Sequence, residues 1–173
     1  PAQFEWGLNW CIASQMHQYL IIHSAVVEKL GVSIILPGSP GSGKSTLCAG
    51  LINNGWRLLS DEMALISLQN LEIQPIPRPV SLKNKSIKII KNFAPDSVIG
   101  QIIPKTTKGD VSHMLASKES VLRQHEMAKL NYIIIPKYNE KSKTVLSDKP
   151  KAQACMSLIE NTFNFNILGE QGF

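Results

Sequence analysis

Cysteine is scarce in this 173-residue chain: Cys11, Cys48 and Cys155 are too few and too scattered for a disulfide framework or a zinc site. A reducing cytosol is the compartment this predicts, with Cys48 read as a small buried hydrophobe. No apolar run approaches the roughly 20 residues that span a bilayer. The opening segment PAQFEWGLNW lacks the basic-then-apolar pattern of a signal peptide. Internal repeats and low-complexity tracts are missing, as is the arginine–aromatic interleaving of a nucleic-acid-binding surface. These absences predict a cytoplasmic globular protein with neither a membrane nor a nucleic acid as partner.

Hydrophobic residues at 43% and charged residues at 18% suit an ordinary packed core. The net charge of +5 fits a phosphate-rich or acidic partner. Lysines gather at Lys83, Lys85, Lys88 and Lys91 and again from Lys137 to Lys151, where solvated surface is the plain explanation. The first residue is not Met and neither end carries a tail, so the chain reads as part of a larger protein. Residues 1–18 are expected as a helical or irregular lead-in and residues 19–173 as the main domain.

Residues 19–28 (YLIIHSAVVE) read as one strand and 32–37 (VSIILP) as a strand buried on both faces, paired in a hairpin through Lys29–Gly31. A helix over 44–53 ends before Gly55, in the position of a C-terminal cap. A strand follows at 56–59, and 63–74 reads as two strands around a turn at Gln69-Asn70. Residues 81–91 suggest a short basic helix, 92–112 loops, 117–129 a helix, 131–135 a buried strand, 137–150 a loop, and 151–162 a terminal helix. The expected class is α/β, a mixed sheet flanked by helices.

The segment Gly38-Ser39-Pro40-Gly41-Ser42-Gly43-Lys44-Ser45 matches G-x-x-x-x-G-K-[ST], the P-loop. Its chemistry explains its spacing. Glycine permits the backbone torsions that turn successive N–H groups inward as an anion nest. The following helix adds free N–H groups and the positive end of its dipole. Lys44 would reach the β- and γ-phosphates of a nucleoside triphosphate and the Ser45 hydroxyl would ligate Mg²⁺, with Thr46 next in the helix.

Two further polar features are placed by topology. In a strand–helix–strand crossover the two strands run parallel. Asp61 and Glu62, at the end of the strand after the helix, therefore emerge on the same rim as the loop, where ligands bind in such sheets. An acidic pair there could hold Mg²⁺, or one carboxylate could take a proton from an acceptor hydroxyl. The hairpin register puts His23 opposite Pro37 and next to Gly38, at the mouth of the phosphate site.

His23-Ser-Ala-Val-Val, the segment Gly38–Thr46, and Gly55-Trp-Arg-Leu-Leu-Ser-Asp61-Glu62 together resemble the catalytic domain of bacterial HPr serine kinase/phosphorylase. Arg78-Pro-Val-Ser-Leu-Lys-Asn84, Lys108-Gly109, His113 and the ending from Asn161 to Phe173 are similar to its "kinase A" branch. The resemblance runs over most of 19–173, with its specific motifs in 23–62. It implies a core related to phosphoenolpyruvate carboxykinase, ATP and Mg²⁺ as cofactors, and a small protein as acceptor. It also allows a homo-oligomer. By the same resemblance Asp61 is the acid/base, Lys44 the phosphate clamp, Ser45 a metal ligand and His23 the support of Asp61.

Two departures matter. Glu62 replaces the family's second aspartate. No acid lies between Glu72 and Asp96, where the bifunctional enzymes carry a glutamate, which points to a one-way kinase or an altered acceptor. Arg78, Lys83, Lys105, Lys108 and His113 are candidates for phosphate or acceptor contacts. Transfer from ATP to a serine of a small protein is the leading expectation, with a small molecule or peptide as the nearest variant. A nucleotide-driven switch or motor fits less well: Asn84-Lys85-Ser86-Ile87 fails the Asn-Lys-x-Asp guanine motif at its last position, and Leu-Ser-Gly-Gly-Gln is absent. A nucleotide-binding scaffold without catalysis is the third reading.

Overall fold

The two apolar runs flanking Lys29–Gly31 do pair, and their hairpin builds the middle of a mixed α/β structure. The computed structural model describes residues 2–172. Pro1 and Phe173, the ends of the outermost segments read from the sequence, lie outside the described residues. Helix α1 spans Ala2–Gln15, and strands β1 (Tyr19–Ile22), β2 (Ser24–Lys29) and β3 (Val32–Pro37) follow. Next come α2 (Lys44–Asn53), β4 (Arg57–Ser60), β5 (Ala64–Ser67), β6 (Glu72–Gln74), β7 (Val80–Lys83) and α3 (Lys85–Phe93). The remainder is β8 (Ile103–Thr106), β9 (Gly109–Met114), α4 (Lys118–Leu122), β10 (Ala128–Lys129), β11 (Tyr132–Ile133), α5 (Lys151–Ile159) and α6 (Phe165–Leu168).

The strands form three sheets, ordered β1-β5-β6-β10, β11-β3-β2-β4 and β7-β9-β8. The second is the central layer, because successive side chains of a strand point to opposite faces. Ala25 and Val27 of β2, with Leu36 and Leu58, pack toward Cys48, Ala49 and Ile52 of α2 and toward Val80, Leu82 and Met114 of the third sheet. Val26, Ile35 and Leu59 point the other way, onto Ile22, Ala64, Ile66 and Ile73 of the first sheet. Burial on both faces accounts for the apolar run over 34–37 of β3.

β2 runs antiparallel to both β3 and β4, which makes β3 and β4 parallel to each other although they do not touch. The two strands joined by α2 therefore send their carboxyl ends to one edge. Gly55, just beyond α2 and at φ 79°, closes the helix with its N–H bonded to the Ile52 carbonyl at 3.0 Å.

Five local expectations change. The run 19–28 is not one strand: the chain bends at His23, leaves the first sheet and enters the second, and the His23 N–H donates to the Asn161 carbonyl at 2.6 Å. The 81–83 end of the expected basic helix belongs instead to β7, whose V-S-L-K alternation pairs with β9, and the lysine-rich helix begins at Lys85. Loops were expected over 92–112, but Pro104 and Gly109 sit in a β8–β9 hairpin; at Gly109, φ 84°, a Cβ would lie 2.2 Å from Asn84 Oδ1. The helix expected over 117–129 stops at Leu122 because Arg57 draws the carbonyls of Arg123 and Glu126 onto its Nη1, at 3.0 and 3.1 Å. The strand expected to be buried over 131–135 is a two-residue edge, with Tyr132 61% exposed and paired in parallel with β3.

Arg57 also binds Glu28: its Nε donates to Glu28 Oε2 at 2.8 Å, and both residues are 5% exposed. The Gly31 N–H satisfies the second carboxylate oxygen at 2.6 Å. Removing one member of such a pair strands a charge in the interior, at a cost of about 3–5 kcal/mol. Arg57→Met should lower the unfolding free energy by about that amount in urea denaturation, and adding Glu28→Gln should recover a large part of it. A loss below about 1 kcal/mol would show that the pair is not an interior charge pair.

Candidate functional site

The Gly-rich loop runs from the end of β3 into α2. Gly38 is buried, Ser39 and Pro40 are exposed, and Gly41 and Gly43 take positive φ of 85° and 94°. The loop closes on itself through the Ser42 N–H, which donates to the Ser39 carbonyl at 3.2 Å. At Gly38 the close approach is steric: a Cβ there would lie 2.8 Å from Ser42 Oγ. The Ser42 carbonyl accepts from the Tyr138 N–H at 3.1 Å, so the 136–138 segment braces the loop from outside.

α2 begins with no side-chain cap and no acidic residue in its first turn. Its N-terminal dipole is thus uncompensated by its own sequence and favours an anion. Lys44, 8% exposed, bends back so that Nζ donates to the Gly38 carbonyl, and to that of Ser39 at 3.3 Å. Burial lowers its pKa from the usual lysine value, and the nearby charges of Glu62 and Asp61 hold it up in part. Ser45 and Thr46 are half-buried in the first helical turn.

Asp61 and Glu62 do emerge on this rim, but in different surroundings. Asp61 is 4% exposed and turned inward, with Oδ2 accepting from the Ser81 N–H at 2.9 Å. The Ser45 hydroxyl adds a favourable interaction with this carboxylate, yet Oδ1 completes no hydrogen bond and is buried. Burial, followed by the charge of Glu62, raises the Asp61 pKa to about 7 against the contrary pull of Ser81, Ser45 and Lys83. Glu62 is pulled the other way. Burial works upward on it, but the His23 hydrogen bond and the charges of Lys83, His23 and Lys108 outweigh that and hold it at about 2.

His23 meets Glu62 rather than Asp61. Its Nε2 lies 3.4 Å from Glu62 Oε2, and Lys83 Nζ lies 3.6 Å from Oε1. The cause is register: Ser24, not His23, faces Pro37, so His23 falls one residue further out, beside the loop. Sequence reasoning missed its other neighbours. Phe163 tilts against the imidazole with ring centroids 5.7 Å apart, and the 160–163 segment walls an open cleft of about 350 Å³ with His23, Ser39 and Pro40. Ser81 was equally invisible, because a backbone N–H carries no sequence signal.

Of the more distant candidates, Lys83 and Lys108 join Glu62, Ser81, Glu5 and Trp6 around a second, much smaller pocket. His113 and Arg78 are tied to α1 through Glu5 (3.2 Å) and Asn9 (2.6 Å). Lys105 stays exposed on the β8–β9 hairpin.

Two curated proteins named HPr kinase/phosphorylase are similar to parts of this chain. The one from Prosthecochloris aestuarii is 36% identical over 53 residues, 31% of this chain and 16% of that protein. The one from Azoarcus sp. is 23% identical over 105 residues, 61% of this chain and 31% of that protein. The chain thus spans less than a third of the length of either relative, and the likeness hints at a kinase-like function. No protein-family model and no solved structure matches it. Among the described residues no helix is long and apolar enough to cross a membrane, and no group of three or more His, Cys, Asp or Glu side chains is placed to hold a metal.

The raised pKa of Asp61 makes stability depend on pH. The folded state holds this proton more tightly than the unfolded chain does, with pKa values of about 7 and 3.8. The associated stability is fully present below about 3.8 and is lost as pH rises through about 7. At 1.36 kcal/mol per pH unit, the penalty at pH 8 is on the order of 4 kcal/mol. Asp61→Asn should therefore be more stable than the parent chain at pH 8, with the difference shrinking toward pH 4 in melts run with chelator. A difference that stays flat over that range would contradict the assignment. Glu62 works in the opposite sense: its stabilisation is present above about 4.5 and is lost only as pH falls through about 2.

Proposed function

We propose that this chain forms the donor and proton-accepting half of an ATP-dependent kinase that phosphorylates a hydroxyl, in the manner of HPr kinase/phosphorylase. The acceptor we favour is a serine of a small protein. The observation that carries the reading is Asp61: a buried carboxylate with a pKa near 7 and an oxygen free of hydrogen bonds, beside Ser45 at the end of a glycine-rich loop. A general base works best when its pKa lies near the working pH.

The loop's chemistry fits a triphosphate. Two buried polar atoms lack partners there, Ser42 Oγ and Asp61 Oδ1, and the uncapped start of α2 supplies N–H groups. Gly38 to Thr46 would cradle the phosphates. Lys44 would leave the Gly38 and Ser39 carbonyls for the β- and γ-phosphates, trading two neutral acceptors for charged ones. Ser45 and Glu62 are the proposed holders of Mg²⁺. Glu62 is ionised, and its contacts with His23 and Lys83, at 3.4 and 3.6 Å, are longer than charge-assisted hydrogen bonds and exchange readily. When bound, Mg²⁺ would offset the charge on the transferred phosphoryl group.

The remaining steps belong to the chain. Ser81 fixes Asp61 through Oδ2, so Oδ1 is the oxygen that would take the acceptor proton. His23, held by Asn161 and Phe163, acts as a positioning residue through Glu62. The "kinase A" branch, a phosphoenolpyruvate carboxykinase-like core, a cytoplasmic location and a homo-oligomer belong to the same reading.

Labelled ATP, Mg²⁺ and a panel of small proteins and metabolites test it. Asp61→Asn should reduce transfer by about 10²–10⁴-fold while leaving binding of a non-hydrolysable ATP analogue nearly unchanged. Lys44→Ala should weaken that binding. Transfer that survives Asp61→Asn removes the base. Transfer to a metabolite and to no protein sinks the protein acceptor. Binding without transfer to anything favours a nucleotide-binding scaffold.

A further inference from the structure

β7 and β9 divide their side chains between two faces. In the antiparallel register Ser81 faces His113 and Lys83 faces Val111. Ser81, Lys83, Val111 and His113 therefore share one face of the third sheet, while Val80, Leu82 and Met114 line the core on the other. The polar face carries two cationic candidates and adjoins Glu62. Helix α1 covers it.

The cover has two unlike halves. Ile12, Ala13 and Met16, in and just after the last turns of α1, pack against buried Ile21, Met63 and Leu65. Among the described residues, the first half reaches the third sheet through polar and cation-directed contacts. Glu5 Oε2 lies 3.2 Å from His113 Nε2, Trp6 lies under Lys108 with Nζ 4.7 Å from the ring centroid, and Asn9 Oδ1 accepts from Arg78 Nη2 at 2.6 Å. Spaced i, i+1 and i+4, these three side chains lie on one side of the helix, and each engages a different cation or histidine. Beneath them is a space of about 10 Å³, room for a single water, lined by Glu5, Trp6, Glu62, Ser81, Lys83 and Lys108. Arg78 does not line this space, but its Nη1 atom, on the same guanidinium that Asn9 holds, is buried without a hydrogen-bond partner. Gly7, where an added Cβ would touch nothing within 4 Å, weakens the helix between its two halves.

We propose that this face is a binding site for an anionic group on the phosphoryl acceptor, and that the first half of α1 is a lid which fills the site with its own carboxylate, indole and amide. Calling the ligand an acceptor rests on the kinase reading above; the anion site does not. Lys83 and Lys108 supply the charge, His113 and Arg78 the directed donors. Glu5 stands where the ligand's anion would sit. The site lies one strand residue from the Asp61 carboxylate, since Ser81 both lines it and fixes Asp61. An acceptor whose hydroxyl lies close to an acidic or phosphate group would present both to the two centres at once.

The test uses inorganic phosphate titrated by calorimetry into the full chain carrying Lys44→Ala, which removes the cation of the glycine-rich loop. Adding Glu5→Gln and Trp6→Ala should raise phosphate affinity about tenfold, from the loss of one part-buried carboxylate–imidazole contact and one cation–π contact that compete for the site. Gly7→Ala, which firms α1 without touching anything, should lower it a few-fold. Lys108→Ala in the opened chain should abolish the gain. Unchanged affinity on opening, or a gain that survives Lys108→Ala, overturns the proposal. ATP-analogue binding and labelled transfer are measured separately with Lys44 intact. A phosphate gain in a chain that neither binds nor transfers keeps the anion site and refutes its role in acceptor binding.

Discussion

β2 lies between β3 and β4 and opposes both, and the meeting of the glycine-rich loop with Asp61 and Glu62 depends on that arrangement. A central antiparallel strand makes its two neighbours parallel. The glycine-rich loop and the Asp61-Glu62 pair leave the sheet at the same edge only for this reason. The arrangement is energetically secure because β2 is buried on both faces: Val26 packs toward the first sheet, Ala25 and Val27 toward α2. A one-residue slip would exchange those faces and place Glu28 away from Arg57. The buried ion pair thus serves register as well as stability.

The parts of this architecture that were legible in the sequence are those set by local rules. The loop motif, the helix after it, its glycine stop and the hairpin turn all follow from backbone torsions and apolar periodicity within a few residues. Asp61 and Glu62 could be put on the loop's rim because crossover connections have a fixed sense. His23 was placed within one residue, and that residue decides its partner. Facing Pro37 it would have been a strand residue; one step further out it sits at a bend and reaches Glu62 instead of Asp61.

What could not be read depends on long-range contacts. The β8–β9 hairpin hides behind Pro104 and Gly109, which look like loop signals, and its strands owe their existence to pairing with β7. The helix after Ser117 is cut short by an arginine some 60 residues upstream in sequence. The lead-in over 1–18 carries no motif, and its relevance comes only from where Glu5, Trp6 and Asn9 land. Ser81 contributes through its backbone N–H, which any non-proline residue would offer.

The two adjacent carboxylates acquire opposite characters from the same few charges. Glu62 is met by His23 and Lys83 and stays ionised; its negative charge then adds to burial in holding the proton on Asp61. Neither state is intrinsic to the residue type. Had the chain kept both side chains equally exposed, both would be ionised at neutral pH and neither would be poised to exchange a proton. The split between them comes from the burial of Asp61 and the His23 contact of Glu62, while Lys83 acts on both members in the same sense and favours ionisation of each. Drawing Lys83 away from Glu62 would remove a positive charge that favours ionisation of both carboxylates, so the polar face of β7 and β9 and the Asp61–Glu62 pair are linked electrostatically through one lysine.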